Sequence, residues 1–156
     1  MAKWFARISK EPDNLDHILD ALEWFDQQYE EGRKELITTG RRIENVCLEV
    51  PSLLEYRYGQ TQELEAILQL LEIRESKLIN DGRRKYSEHY ARQLSDRTSG
   101  QYAENDPEIV ILKEIRTHVA LVRNKFLGLL AAYEKLHFSV GYVVKLRIAG
   151  FDDATF

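Results

Sequence analysis

One cysteine, Cys47, in 156 residues excludes an internal disulfide and points to a reducing compartment. Three prolines and eight glycines are too few for a many-turned β structure, which favours long helices. The opening MAKWFARISK lacks the apolar run of a signal peptide, and no later run is long enough to span a bilayer. The expectation is a soluble cytoplasmic protein with no membrane partner. There is no G-x-G-x-x-G, no P-loop and no internal repeat. The four histidines are scattered over separate segments. Glu134 and His137 form a Glu-x-x-His pair, but a di-iron bundle needs two such pairs and further glutamates. Glu114 and His118 likewise stand without a partner set. Cys47, beside an apolar heptad position, reads as a small core residue rather than a nucleophile. These absences lead to the expectation of a non-enzymatic protein with no catalytic residues, no metal and no cofactor.

What is present is helical periodicity. A first helix is expected over about 14–49, starting at Asp13 or Asn14 after Pro12 and ending at Pro51. Its seam, from Leu15 through Phe25, Gly32 and Thr39 to Val46, alternates spacings of three and four, weakened at Gly32 and Thr39. Ser52 and Glu55 stand at capping-box spacing, so a second helix is expected over about 52–95. Its wide apolar surface around Leu64–Leu71 calls for two partners. Asn80-Asp81-Gly82 reads as a bend at 80–82, and residues 96–105, dense in Ser, Thr, Gly and Asn, read as a loop. A third helix is expected over about 106–148, with Asp106 as cap and Pro107 at its first position.

The third helix has the most regular pattern. Leu112, Ile115, Val119, Val122, Phe126, Leu129, Tyr133, Leu136, Val140 and Val143 step three and four without exception. A helix of about forty residues runs about 60 Å, longer than a compact domain of this size is wide. The reading is all-α: one elongated helical domain over 1–156, a helical hairpin or three-long-helix bundle with a coiled-coil seam. That seam is expected to pair copies in a homo-oligomer. Arg123, Asn124 and Lys125 read as a solvated face or as inter-subunit salt bridges.

Charge is unevenly placed. The chain nets −4, yet Arg83, Arg84, Lys85, Arg92 and Arg97 face only Glu88 and Asp96 over 83–97, leaving that segment at +3 and the remainder at −7. On a helix Lys85, His89 and Arg92 share a face, while Tyr86, Tyr90 and Leu94 share the next. Two readings stand: tyrosines packed inward under a solvated basic face, or a phosphate-contacting face with tyrosines that stack on bases. The candidate nucleic-acid-binding residues are therefore Arg83, Arg84, Lys85, Tyr86, His89, Tyr90, Arg92 and Arg97, with Tyr102 a further stacking candidate.

The second half, GRRKYSEHYARQLSDR, then TSGQYAEN, then DPEIVILKEI and finally VVKLRIAG, resembles in layout the UvsY-like recombination mediators of T4-type phages. The resemblance covers about residues 80–150. It implies a ring-like homo-oligomer assembled partly through the long C-terminal helix. It also implies sequence-independent single-stranded DNA (ssDNA) binding for DNA recombination, and partners among recombinase and ssDNA-binding proteins in a host cytoplasm. Arg83, Arg84, Lys85, Arg92 and Arg97 would then hold phosphates, with Lys145 and Arg147 as further candidates. The competing expectation is an oligomeric helical structural or adaptor protein, such as a phage virion or assembly component, that binds no nucleic acid.

Overall fold

The computed structural model describes residues 3–89 and 95–151, and among them all regular structure is α-helical. Five helices follow in order: α1 (Lys3–Lys10), α2 (Asp16–Glu35), α3 (Ile43–His89), α4 (Asp96–Glu104) and α5 (Pro107–Ile148). The all-α expectation holds. α3, of 47 residues, extends about 70 Å and α5, of 42 residues, about 63 Å at 1.5 Å per residue. They form the principal pair of the fold and run antiparallel, as the ion pairs Arg123–Glu65 and Arg116–Glu72 show. α4 continues the line of α5 along the far end of α3. α2 lies over the middle of this hairpin, making a three-helix bundle there, and α1 closes it at one side.

The core follows from the apolar stripes. Phe25 of α2 meets Phe126 of α5 edge to face, with ring centres 5.8 Å apart, and Ile18, Leu64, Ile67, Leu71 and Val119 close around them. α1 is amphipathic, burying Trp4 and Ile8. Its start is held by a buried carboxylate: Glu63 Oε1 accepts from Trp4 N at 2.6 Å and from Phe5 N at 3.0 Å. A negative group there satisfies first-turn N–H donors and favours the positive end of the helix dipole.

Several boundaries differ from the sequence reading. The helix expected over 14–49 stops at Glu35, and residues 36–42 form a link built around Gly40 at φ +77°. The N-cap of α2 is Leu15, whose side chain makes no capping bond, and Asn14 before it accepts from Asp16 N through Oδ1 at 3.2 Å. Pro51 lies inside α3 rather than ending a helix. Its ring is exposed, while Val46 and Val50 before it are buried, so packing on one face carries the helix past the missing N–H. Ser52 donates to Glu49 O at 2.8 Å, as a mid-helix hydroxyl does, instead of capping a new helix. Residues 80–82 continue α3 without a break, and most of the loop expected over 96–105 is α4. Ser95 caps α4 by accepting from Thr98 N at 3.3 Å. The third helix starts as expected: Asp106 accepts from Glu108 N at 3.1 Å and Pro107 opens α5.

The seam of α5 is largely covered within the chain. Leu112, Ile115, Val119, Val122, Phe126, Leu129 and Tyr133 are buried against α2 and α3, Leu136 and Val140 are half-buried, and Val143 is exposed. A single copy therefore accounts for seven of the ten positions expected to pair copies. Arg123 pairs with Glu65 at 3.2 Å and Lys125 with Asp26 at 2.7 Å, contacts inside one chain rather than between subunits. Cys47 is exposed, not a core residue. The far end of α5 leaves apolar side chains uncovered: Phe138, Tyr142 and Ile148 are exposed there, as are Phe151 just beyond the helix and Leu48 of α3. No helix among the described residues is long and apolar enough to cross a membrane.

Candidate nucleic-acid interface at the hairpin tip

The end of the hairpin away from α2 is made by the last turns of α3 and by α4. Small residues set the geometry. A Cβ on Gly82 would come 3.0 Å from Ala103 Cβ, so the two helices pack closely there and a side chain at Gly82 would require a small shift. Ser99, Gly100 and Ala103 are buried in the same contact. A Cβ on Gly100 would meet Arg83 Nε at 3.2 Å. Gly100 thus makes a bed on which the Arg83 side chain lies before its guanidinium reaches Glu104 at 3.6 Å.

This crossing fixes where the cations go. Arg83, Arg84, Lys85 and Arg97 are all exposed at the tip. Arg84 Nε pairs with Glu88 one turn on, at 3.2 Å; Arg83 pairs across to α4. Exposed pairs of this kind contribute at most about 1 kcal/mol, so a phosphate can compete for both guanidiniums. Among the described residues Lys85 and Arg97 make no ion pair. Tyr86, half-buried, turns toward α4 and meets Tyr102, with ring centres 5.8 Å apart and planes at 35°. Tyr102 is the more exposed of the two. The tyrosines thus divide: Tyr86 belongs to the α3–α4 contact, and Tyr102 carries the outer ring. Tyr90, Arg92 and Leu94, together with the His89 side chain, lie outside the described residues.

Of the residues expected from the sequence, the structure places Arg83, Arg84, Lys85 and Tyr86 on α3 and brings Arg97 and Tyr102 to them from α4. Lys145 and Arg147 sit at the other end of α5, roughly the length of the hairpin away, and do not join this cluster. The acidic remainder of the chain also has a location. Asp16, Asp20, Glu23, Asp26, Glu30 and Glu31 lie exposed along α2, and Asp81, Glu88 and Glu104 stand exposed among the cations of the tip itself.

A second polar cluster went unnoticed in the sequence. Arg57, 1% exposed, sits in the bundle centre. Its NH2 and Nε reach Glu35 at 2.8 and 3.3 Å, and its NH1 reaches Gln28 O and Gln60 Oε1, each at 3.0 Å. Tyr133 Oη donates to Gly32 O at 3.1 Å and also to Glu35. Burial, and then the neighbouring Glu35, push the Tyr133 phenol well above the ordinary tyrosine value. Gly32 is closely packed in this setting: a Cβ there would stand 2.5 Å from Leu129 Cδ2, so the leucine would have to shift. The available sequence signal was the spacing: Arg57 continues the three-four pattern of Val50 and Leu64, a charge at a core position. With all three nitrogens of Arg57 bonded to acceptors, the cluster ties α2, α3 and α5 together. It offers no open face for a substrate.

Elsewhere, His118, Glu134 and His137 are exposed on α5, and no group of three or more His, Cys, Asp or Glu converges among the described residues. No family model, no curated protein and no solved structure matches this chain.

Proposed function

We propose that the protein is a non-enzymatic, sequence-independent ssDNA-binding protein of the recombination-mediator type, with the hairpin tip as its contact surface. The observation that carries this reading is the exposed cluster of Arg83, Arg84, Lys85 and Arg97 on a chain whose remaining charge is acidic. In it, guanidiniums and an ammonium neutralise phosphates, and Tyr102 offers an aromatic face to an unstacked base. Its four described cations form a small footprint for one copy, so affinity is set by several copies acting together. The resemblance to phage mediators supplies the rest: a ring-like homo-oligomer in the cytoplasm, and a recombinase and an ssDNA-binding protein as partners.

The test is fluorescence anisotropy of a labelled single-stranded oligonucleotide at several salt concentrations, with duplex as control. Expected are preference for the single strand and a steep weakening with salt. Absence of binding at low salt removes this reading.

A second reading has its own observation. The uncovered apolar end of α5, with Phe138, Tyr142, Ile148 and Phe151, suits an adaptor that holds protein rather than nucleic acid. It predicts a defined assembly with no affinity for the oligonucleotide, and Phe138→Asp with Tyr142→Asp should reduce the mass of that assembly in light scattering.

A further inference from the structure

We infer that the α1–α2 arm is exchangeable between two copies of this chain, with the link at 36–42 as the hinge. The first observation is one of phase. The spacing of three and four that passes through Tyr29 and Gly32 of α2 continues through Leu36 and Thr39 and arrives at Ile43 and Val46 of α3 without a slip. The link is seven residues long, one heptad. A connection that only had to reverse the chain has no reason to preserve that register. A helix running straight through 36–42 would need it, because it would keep the seam of α2 in line with the seam of α3.

What breaks the helix is local and small. Arg41 N donates to Thr38 O at 3.0 Å, closing a β-turn, and Gly40 stands third in it at φ +77°, the position at which a type II turn favours glycine. Straightening this turn carries α2 away from its own α3 and α5. The surface that α2 leaves is the one a second copy's arm fits. The Arg57–Glu35 pair, the Lys125–Asp26 pair and the Glu63 cap on α1 would all re-form between chains unchanged.

A second observation points to the same arrangement. The antiparallel pairs Glu65–Arg123 and Glu72–Arg116 extrapolate to place Ile43 level with Lys145. Around that level α5 exposes Tyr142, Val143, Val144 and Leu146. Reciprocal exchange brings the two hinges together, and so brings a partner onto apolar residues that one copy leaves in water. This inference does not depend on the proposed DNA binding.

The test uses two single-cysteine chains in a Cys47→Ser background, one carrying Asp26→Cys and the other Lys125→Cys. They are refolded together from urea and treated with a short bismaleimide. A covalent adduct between chains forms when α2 of one lies on α5 of the other. Gly40→Ala disfavours the turn and favours a continuous helix, and is expected to raise the adduct on the order of tenfold or more. Thr39→Pro occupies the turn position that favours proline and blocks the helix, and is expected to abolish the adduct with helicity unchanged. No increase with Gly40→Ala overturns the inference. Should Gly40→Ala lose its helicity, wild type against Thr39→Pro decides: equal adduct in both, or none in either, overturns it.

Discussion

Arg57→Ala tests the account of the bundle centre. The guanidinium is 1% exposed and its principal partner Glu35 is 30% exposed, so the pair is nearly but not wholly removed from water. Truncation leaves the Glu35 carboxylate with Tyr133 alone, leaves Gln60 Oε1 without its donor, and opens a void between Gly32 and Leu129. Breaking a buried pair from one side costs about 3–5 kcal/mol, and partial exposure of Glu35 places the expected loss near the lower end, about 3 kcal/mol. For a chain of this length that is a fall in melting temperature of roughly 6–12 °C. Urea denaturation followed by far-UV circular dichroism measures the first, and a thermal scan the second. The same logic predicts non-additivity. Arg57→Met with Glu35→Met removes both charges together and should lie within about 1 kcal/mol of wild type, since two apolar side chains replace a pair whose desolvation was unfavourable. A loss below about 1 kcal/mol for Arg57→Ala, or strict additivity in the double variant, would refute the view that Arg57 is a buried clasp.

Tyr133→Phe should remove an alkaline sensitivity. The phenol's folded value is raised, so its stabilisation is full below the ordinary value of 10 and declines as pH rises above it, where only the unfolded state ionises readily. Wild type should lose stability above about pH 10 more steeply than the Phe variant, in urea titrations at successive pH values. Lys85→Glu with Arg97→Glu should leave the thermal melt unchanged and lower the slope of log affinity for ssDNA against log salt by about 1.4 per copy, at about 0.7 per lost phosphate contact. An unchanged slope would place the contact elsewhere. Gly82→Val should push α4 from α3 at Ala103, weakening oligonucleotide binding while the denaturation midpoint of the bundle moves little; a cooperative collapse of the whole chain would show that the tip and the bundle are one unit.

The long helices were legible because their seams are long. α5 needed no more than Asp106, Pro107 and a run of apolar residues at regular spacing, and its start was read correctly. The breaks were harder, because a glycine or proline has more than one use. Gly82 and Gly100 read as turn signals, but they are positions where one helix approaches another, a fact that depends on Ala103 and Arg83 across the gap. Pro51 reads as a stop, but burial on the opposite face of α3 outweighs the lost hydrogen bond. Gly40, by contrast, does stand in a break, within the link between α2 and α3. For the candidate site, the cations of α3 were visible as a cluster, and Arg97 was placed with them by chain proximity. The separate environments of Tyr86 and Tyr102 were not, since both fit an aromatic stripe and only the α3–α4 crossing distinguishes them. Arg57 was passed over because its partners lie on α2, more than twenty residues earlier.

The contact between Tyr133 and Glu35 joins residues separated by 98 positions. At synthesis rates of about 5–20 residues per second, the end of α2 waits roughly 5–20 s for the part of α5 that covers it. The hairpin tip closes over a far shorter separation, so it can form while the arm still lacks its partner. During that interval Phe25, Tyr29 and the rest of the α2 stripe face water. Chains emerging side by side on one message would each present a finished seam before its own cover exists. The order of synthesis, as much as the final energy, therefore bears on which copy of α5 each arm meets first.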